Sequence, residues 1–335
     1  MTERLHTTDQ LELAQLALRN YELGETSLHF IGHSENITFR IENSEGSSFL
    51  LRLKSPVTGV TDETWLSVES LESEMMWLVA LAEHPDIRVQ QPVRNRDGTY
   101  VTAIEAGTDG KVIPCTVLKW IKGNHVTDIT SELAGKLGKT VARLHEQSTN
   151  WSPPPEFQRP RWDWELIYQT TMTRSRKGVE IGTISRQHLE AIDDVLKKVR
   201  PDVESMGYGE ERWGLIHSDL HPDNYLVNEG EICPIDFSAC CFGHYLADFA
   251  ETLRFLKPEW HSAFLEGYMG VRQKPYESLK DLEVFWVIGK VSNLSFLALN
   301  PIDYDHLSRT ARLTPEKIED CVVKYLNGEH FLELS

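Results

Sequence analysis

Three oxygen-bearing side chains stand close together late in this chain. Asp219 and Asn224 lie five residues apart in Ile216-His217-Ser218-Asp219-Leu220-His221-Pro222-Asp223-Asn224, and Asp236 follows Ile232-Cys233-Pro234-Ile235. Short apolar runs, including Leu215-Ile216 and Leu226-Val227, put these groups at the mouths of short strands. A carboxylate in such a place can orient a hydroxyl and accept its proton. An amide oxygen and a second carboxylate are hard donors that suit Mg²⁺. Together they fit metal-assisted phosphoryl transfer, in which the metal neutralises the charge on the moving group. A lone Asp or Asn would be an ordinary turn residue; the array at this spacing is a stronger signal.

His217 and His221 flank the array. A zinc site would need a closed ligand set that the surrounding residues do not supply, so structural hydrogen bonding is the expectation for both. Cys240 and Cys241 read as packed thiols. Neither a GxSxG elbow nor a GxxxxGK[ST] loop occurs, which argues against an α/β-hydrolase and a P-loop NTPase.

The upstream half reads as a strand-rich unit. Leu11, Leu13, Leu16, Ala17 and Leu18 suggest an opening amphipathic helix. Three strands follow, with a polar bend at Gly32-His33-Ser34-Glu35-Asn36 and a turn at Asn43-Ser44-Glu45-Gly46. Such a bend can cover a phosphate chain or be a plain hairpin. Arg52 and Lys54 share one face of the third strand. Either could hold nucleotide phosphates; for Lys54 the alternative is a solvated edge strand. Residues 63 to 83 look helical, with Leu71, Met75, Leu78 and Ala82 on one stripe and Glu74 beside it. Glu74 is then a surface carboxylate or the buried partner of Arg52. Val89 to Pro92, Tyr100 to Ala103 and Thr116 to Leu118 read as further strands, with a hairpin turn at Asn95 to Gly98.

The pattern becomes helical after Gly123, beginning with Leu133, Leu137, Val141 and Leu144. Residues 150 to 161 carry four prolines and form an extended connection. Arg161-Trp162-Asp163-Trp164-Glu165 could recognise an amine, or could be a helix start with packed indoles. A helix is expected from Thr183 to Val199, ended by Pro201, and a core helix from Asp281 to Leu299. An acceptor pocket is expected among Asp219, the segment Asp163, Trp164 and Glu165, and Trp286.

Composition sets outer bounds. The chain has 335 residues and a net charge of −17, a field that repels nucleic acid and anionic membrane. Five cysteines without a CxxC pair point to reduced thiols and a cytoplasmic location. The start has no basic region followed by an apolar run, so no signal peptide is expected. No apolar run approaches the ~20 residues of a membrane span.

The run from Ile216 to Asn224 resembles the signature of the aminoglycoside phosphotransferase and choline kinase superfamily, the protein-kinase-like small-molecule kinases. Ile235-Asp236-Phe237, Gly243 and Asp248 resemble its second signature, and Leu137-Gly138 with Ala142 to His145 its preceding helix. Arg161 to Trp164 and Phe242 to Asp248 are most similar to a bacterial branch of stress-response, homoserine-kinase-like and hydroxylysine-kinase-like proteins. The resemblance implies an α+β, bilobal protein-kinase-like fold: a small antiparallel β-sheet N-lobe with one key helix (1–118), a hinge (119–123) and a larger, mainly helical C-lobe (124–335).

It also implies ATP and Mg²⁺. Asp219 would be the catalytic base, Asn224 and Asp236 the metal ligands, and His217 and Asp248 the support of the catalytic loop. Arg52, paired with Glu74, would replace the usual phosphate-binding lysine. Ser34, Glu35 and Asn36 would cover the nucleotide, and Leu118, Lys119 and Trp120 would meet the adenine. Ser218 stands where the family usually has Gly, and Ser238 where close relatives often have a carboxylate. The expected activity is transfer of the γ-phosphoryl group to a hydroxyl of a small, amine-bearing molecule. The alternatives are a stress-response-type Ser/Thr protein kinase and a non-catalytic nucleotide-binding pseudokinase.

Overall fold

Alternating apolar residues build the first sheet. The computed structural model of the chain describes residues 7–33, 35–55, 65–106, 111–126, 128–299 and 315–334. Its fold is α+β and bilobal, and divides into two units. One comprises residues 1–123 with 152–160 and 235–238; the other holds 124–151, 161–234 and 239–335.

In the first unit, α1 (Thr7–Leu18) precedes β1 (Thr26–His33), β2 (Asn36–Asn43) and β3 (Ser48–Lys54), then α2 (Val68–Ala82), β4 (Pro92–Val93), β5 (Val101–Ala106) and β6 (Lys111–Lys119). The sheet order is β1-β2-β3-β6, all antiparallel, with β4 and β5 both paired to β6. Ile37, Phe39 and Ile41 of β2 and Leu51 and Leu53 of β3 fill its core. Here β3 is interior, between β2 and β6, so Lys54 is no solvated edge residue; it is 9% exposed.

The turn at Asn95 to Gly98 exists, with Gly98 at φ 82°, but the strands on either side pair with β6 and not with each other. The strand expected from Val89 shrinks to Pro92–Val93. Helix α2 starts later than periodicity suggests, because the Ser67 hydroxyl accepts the Ser70 N–H and fixes the start. Such a cap contributes about 1 kcal/mol.

The second unit contains α3 (Ser131–Asn150), α4 (Trp164–Ile181), α5 (Arg186–Met206), β7 (Trp213–Ile216), β8 (Tyr225–Asn228), β9 (Glu231–Pro234), β10 (Cys241–His244), α6 (Tyr245–Arg254), α7 (His261–Met269), α8 (Leu279–Leu297) and α9 (Pro315–Asn327). Pro201 does not end α5; the helix runs through it to Met206. Val199 and Val203, on either side, are both buried, and their packing holds the helix across the missing N–H.

Helices α3 and α7 meet closely. A Cβ on Gly138 would fall 1.9 Å from the Phe264 carbonyl oxygen, and one on Gly267 1.9 Å from that of Gly135. That approach sets His145 of α3 against Tyr268 of α7. Helix α8 carries the core residues Leu282, Val284, Phe285, Val287, Ile288 and Val291. Among the described residues, no helix is long and apolar enough to cross a membrane, and all five cysteines are free and buried.

Candidate active site

In the first unit the site is built on β3 and α2. Arg52 is held by its strand between Thr38 of β2 and Thr116 of β6. Its Nη2 donates to Glu74 Oε1 at 2.8 Å, its Nε donates to Thr116 Oγ1 at 3.3 Å, and its Nη1 lies 3.7 Å from Asp236 Oδ1. Glu74 is fully buried, so the expected pair with Arg52 is present. Asp236 adopts φ 58° with its side chain 42% exposed. Burial works to raise its carboxyl, but Arg52, the Ser238 hydroxyl and Lys54 outweigh it and hold the group below the usual range. Ser238 Oγ donates to Asp236 Oδ1 at 2.6 Å. A carboxylate at position 238 would instead face Asp236 with like charge.

Two side chains pin this turn: Phe237, which lay in the second signature, and Arg159, which sequence reasoning missed. Phe237 packs edge-on against Trp77 of α2, with ring centroids 5.4 Å apart. Arg159 donates to the Ser238 carbonyl at 2.7 Å and to the Ser70 hydroxyl at 3.0 Å. Its only sequence signal was a cation at the end of a proline-rich run.

Ser34 lies outside the described residues. Asn36, Arg52, Lys54, Glu74, Thr116 and Ser238 line one small recess. Glu35 stands at the bend beside it, and burial lowers Lys54 while Glu35, Asp236 and Glu74 partly offset that effect. A larger recess, near 800 Å³, lies by α1 and shares no lining residue with the first. Leu118 is buried; the Lys119 and Trp120 N–H groups bond to the carbonyls of Gln91 and Ser48 at 2.7 and 3.0 Å. The Arg40 guanidinium covers the Trp120 ring at 4.9 Å.

In the second unit the loop after β7 carries Asp219. Asn224 donates from Nδ2 to both the carbonyl and Oδ2 of Asp219, at 2.8 and 2.9 Å. That orientation turns Asn224 Oδ1 away from Asp219, because the opposite one would set two acceptors against each other. The Asp219 side chain is 47% exposed, so its carboxylate is accessible.

The loop is braced from beneath. Asp248 of α6 accepts the His217 N–H on Oδ2 at 3.0 Å and the Ser218 N–H on Oδ1 at 2.7 Å. His145 places Nε2 3.1 Å from Asp248 Oδ2 and Nδ1 2.9 Å from the Tyr268 hydroxyl. Burial keeps His145 below its ordinary value, hence neutral. Its Nε2–H therefore donates to Asp248, and Tyr268 O–H donates to Nδ1. Asp248 is lowered: burial opposes, but the bond to His145 and the nearby His217 more than offset it. His145 and Tyr268 are further supports; His145 lay in the helix singled out by resemblance, while Tyr268 had no signal.

His217 Nδ1 accepts the Asp219 N–H at 3.3 Å; His221 Nδ1 lies 3.3 Å from the Asp223 amide nitrogen and accepts its N–H only while the ring is neutral. His221 is pushed up to about 9: burial lowers it, but Asp219, Asp223 and Glu251 more than offset that. Glu251 itself is raised, chiefly by burial and secondarily by Asp219, against the opposing Arg254.

The segment read as an amine surface has local tasks. Asp163 caps α4 by accepting the Leu166 N–H at 3.2 Å, Trp164 is buried against Tyr168, and Glu165 bonds to Gln169. Trp286 meets the His261 ring edge-on at 6.3 Å.

The donor chemistry suits a hard cation. Among the described residues no group of three or more His, Cys, Asp and Glu could hold a metal, so a closed zinc-type cage is absent there. In the first unit Asp236 offers a partly exposed carboxylate; in the second, the Asn224 amide oxygen makes no hydrogen bond among the described residues. Few protein oxygens, completed by phosphate and water, are what Mg²⁺ takes.

Comparison with known proteins accords with this geometry. The model of the APH family, described as "Phosphotransferase enzyme family", matches residues 28–282. Amicoumacin kinase of Bacillus subtilis (strain 168) is 23% identical over 287 residues, 82% of this chain and 78% of that one. Homoserine kinase of Gluconobacter oxydans (strain 621H) is 22% identical over 290 residues, 80% and 81% of the two chains. The solved structure of a microcompartment-associated aminopropanol kinase superposes with a TM-score of 0.77 at 25% identity, covering 97% of this chain and 100% of that one.

Proposed function

The chain belongs to the APH phosphotransferase enzyme family, and we propose that Asp219 is its catalytic base and that Asn224 and Asp236 hold Mg²⁺. The protein is an ATP-dependent phosphotransferase acting on a hydroxyl group of a small molecule. The observation that carries the residue assignment is the pair of hydrogen bonds that Asn224 Nδ2 donates to Asp219, at 2.8 and 2.9 Å. It fixes a carboxylate for the acceptor while leaving an amide oxygen for a cation.

Asp219 orients the acceptor hydroxyl and takes its proton as that oxygen attacks the γ-phosphorus. The new P–O bond forms in line with the breaking bond to ADP, which leaves with the bridging oxygen. Bound Mg²⁺ would neutralise charge on the phosphate oxygens. Asp248 holds the loop amides, so Asp219 needs no rearrangement during transfer. Arg52 and Glu74 stand on the phosphate side of the nucleotide, Ser34, Glu35 and Asn36 cover the phosphates, and Leu118, Lys119 and Trp120 serve the base.

The acceptor in this reading bears an amine. Two relatives act, by name, on homoserine and aminopropanol, a hydroxylated amino acid and an amino alcohol, each carrying an amine beside its hydroxyl. With Asp163 engaged as a cap and Trp164 in the core, Glu165 and Trp286 are the better candidates for acceptor contact. The five free thiols favour a reducing, cytoplasmic setting.

A protein-kinase reading has less support. Only a short 3-10 turn (Phe237–Ala239) and β10 fill the stretch before α6, which leaves no room for a long activation segment. The test is an ATP-coupled screen of amino alcohols, hydroxylated amino acids, sugars and aminoglycosides. Turnover with an amino alcohol or hydroxylated amino acid is expected, with Asp219→Asn losing about 10²–10⁴-fold in rate. Unimpaired turnover in that variant would overturn the assignment. Autophosphorylation without any small acceptor would support a protein kinase, and a nucleotide-induced thermal shift without turnover a pseudokinase.

A further inference from the structure

Arg52 stands where a phosphate-binding cation is expected, yet its guanidinium is already engaged. Its three nitrogens point to Glu74 at 2.8 Å, Thr116 at 3.3 Å and Asp236 at 3.7 Å. Those contacts make it a strut joining α2 and β6 to the Asp236 turn. Lys54 is different. It lies two residues further along the same face of β3, is 9% exposed, and lines the same recess as Arg52, Asn36 and Ser238. Among the described residues its ammonium makes no ion pair and no hydrogen bond.

A buried cation with no ion pair is costly; Glu35, Asp236 and Glu74 offset part of that cost without reaching ion-pair distance, and an anion in the recess would offset more of it. Sheet register says where that anion would lie. Lys54 is the cross-strand partner of Asn36, so it sits beneath the bend between β1 and β2. Burial makes the lone ammonium easier to deprotonate, which a polyanion would reverse.

We propose that Lys54 is the point-charge ligand of the nucleotide's polyphosphate, while Arg52 chiefly positions Asp236. The inference rests on the kinase reading above and deepens it by dividing two roles that a single lysine would combine. A compact ammonium with three rotatable donors can follow phosphate oxygens that a fixed planar fork, already bonded on each side, cannot.

The test compares Lys54→Met, Lys54→Arg and Arg52→Met by titration calorimetry with ATP, ADP and adenosine, alongside thermal melts without ligand. Lys54→Met is expected to weaken ATP and ADP roughly ten- to hundred-fold while leaving adenosine within about twofold. Its melting temperature should not fall, because a lone buried charge has been removed. Lys54→Arg should recover part of the ATP affinity, and Arg52→Met should lower the melting temperature. Unchanged ATP binding in Lys54→Met overturns the inference. So does an equal loss for ATP and adenosine together with a lower melting temperature, which would make Lys54 structural. A wild-type chain that binds no ATP overturns the kinase reading itself, and this inference with it.

Discussion

The carboxylate of Asp248 accepts the main-chain N–H of Ser218 at 2.7 Å, and Ser218 is held there at φ 69°. A residue with a Cβ in this left-handed region costs about 1–2 kcal/mol. The Asp248 bond offsets that cost and keeps the loop in the one shape that presents Asp219.

Ser218→Gly should therefore relieve strain and raise stability by about 0.5–1 kcal/mol, after the added freedom of the unfolded chain is subtracted. Ser218→Val should lower it by more than that. Urea denaturation of the two variants checks the pair; a glycine variant less stable than wild type would show that the Ser218 side chain matters more than its backbone.

Acid should weaken the fold from near pH 6.5. His145 is neutral when folded, because burial lowers it from an ordinary value of 6.5, against partial opposition from Asp248. The unfolded chain thus binds a proton first, and stability falls as pH drops below that value. His244, pushed down to about 4 by burial and Arg212, adds to the same slope. Asp248 acts further down: its contribution, complete above its ordinary value of 3.8, is lost as pH falls through its lowered folded value. His145→Gln keeps an amide donor but cannot titrate, so the loss between pH 6.5 and 5 should shrink by up to about 1.4 kcal/mol per pH unit. Denaturation midpoints across that range decide it; an undiminished slope would assign the effect to His244 and to His261, which burial also lowers.

Glu74→Ala should be among the most damaging changes in the first unit. It would leave Arg52, buried at 5% exposure, without its 2.8 Å partner. Breaking such a pair costs about 3–5 kcal/mol. The double change Glu74→Ala with Arg52→Met should recover part of that loss, since it removes the stranded charge. A double variant as unstable as the single one would show that packing, not charge, makes Glu74 necessary.

Local signals carried much of this far in advance. The Asp219 and Asn224 interval, the alternation of β2 and β3 and the apolar stripe of α2 depend on neighbours in the chain, and periodicity records those. The Arg52–Glu74 pair was legible because both positions flanked apolar runs. Pro201 misled because proline's local cost is real, but Val199 and Val203 are buried by packing from elsewhere. Lys54 misled for a similar reason: whether a strand is an edge depends on β6, which enters the sequence some sixty residues later.

What the sequence determined by itself was the set of groups able to do the chemistry and the loops that carry them, since these follow from residue type and short spacing. What only the tertiary structure decided was how they are held. Tyr268, His145 and Asp248 come from three helices and converge on one loop because α3 and α7 approach at glycines. Arg159 reaches Ser238 across 79 positions of sequence. Lys54 lost its solvent because strands joined around it. These are consequences of burial and long-range packing, whose partners no local pattern names.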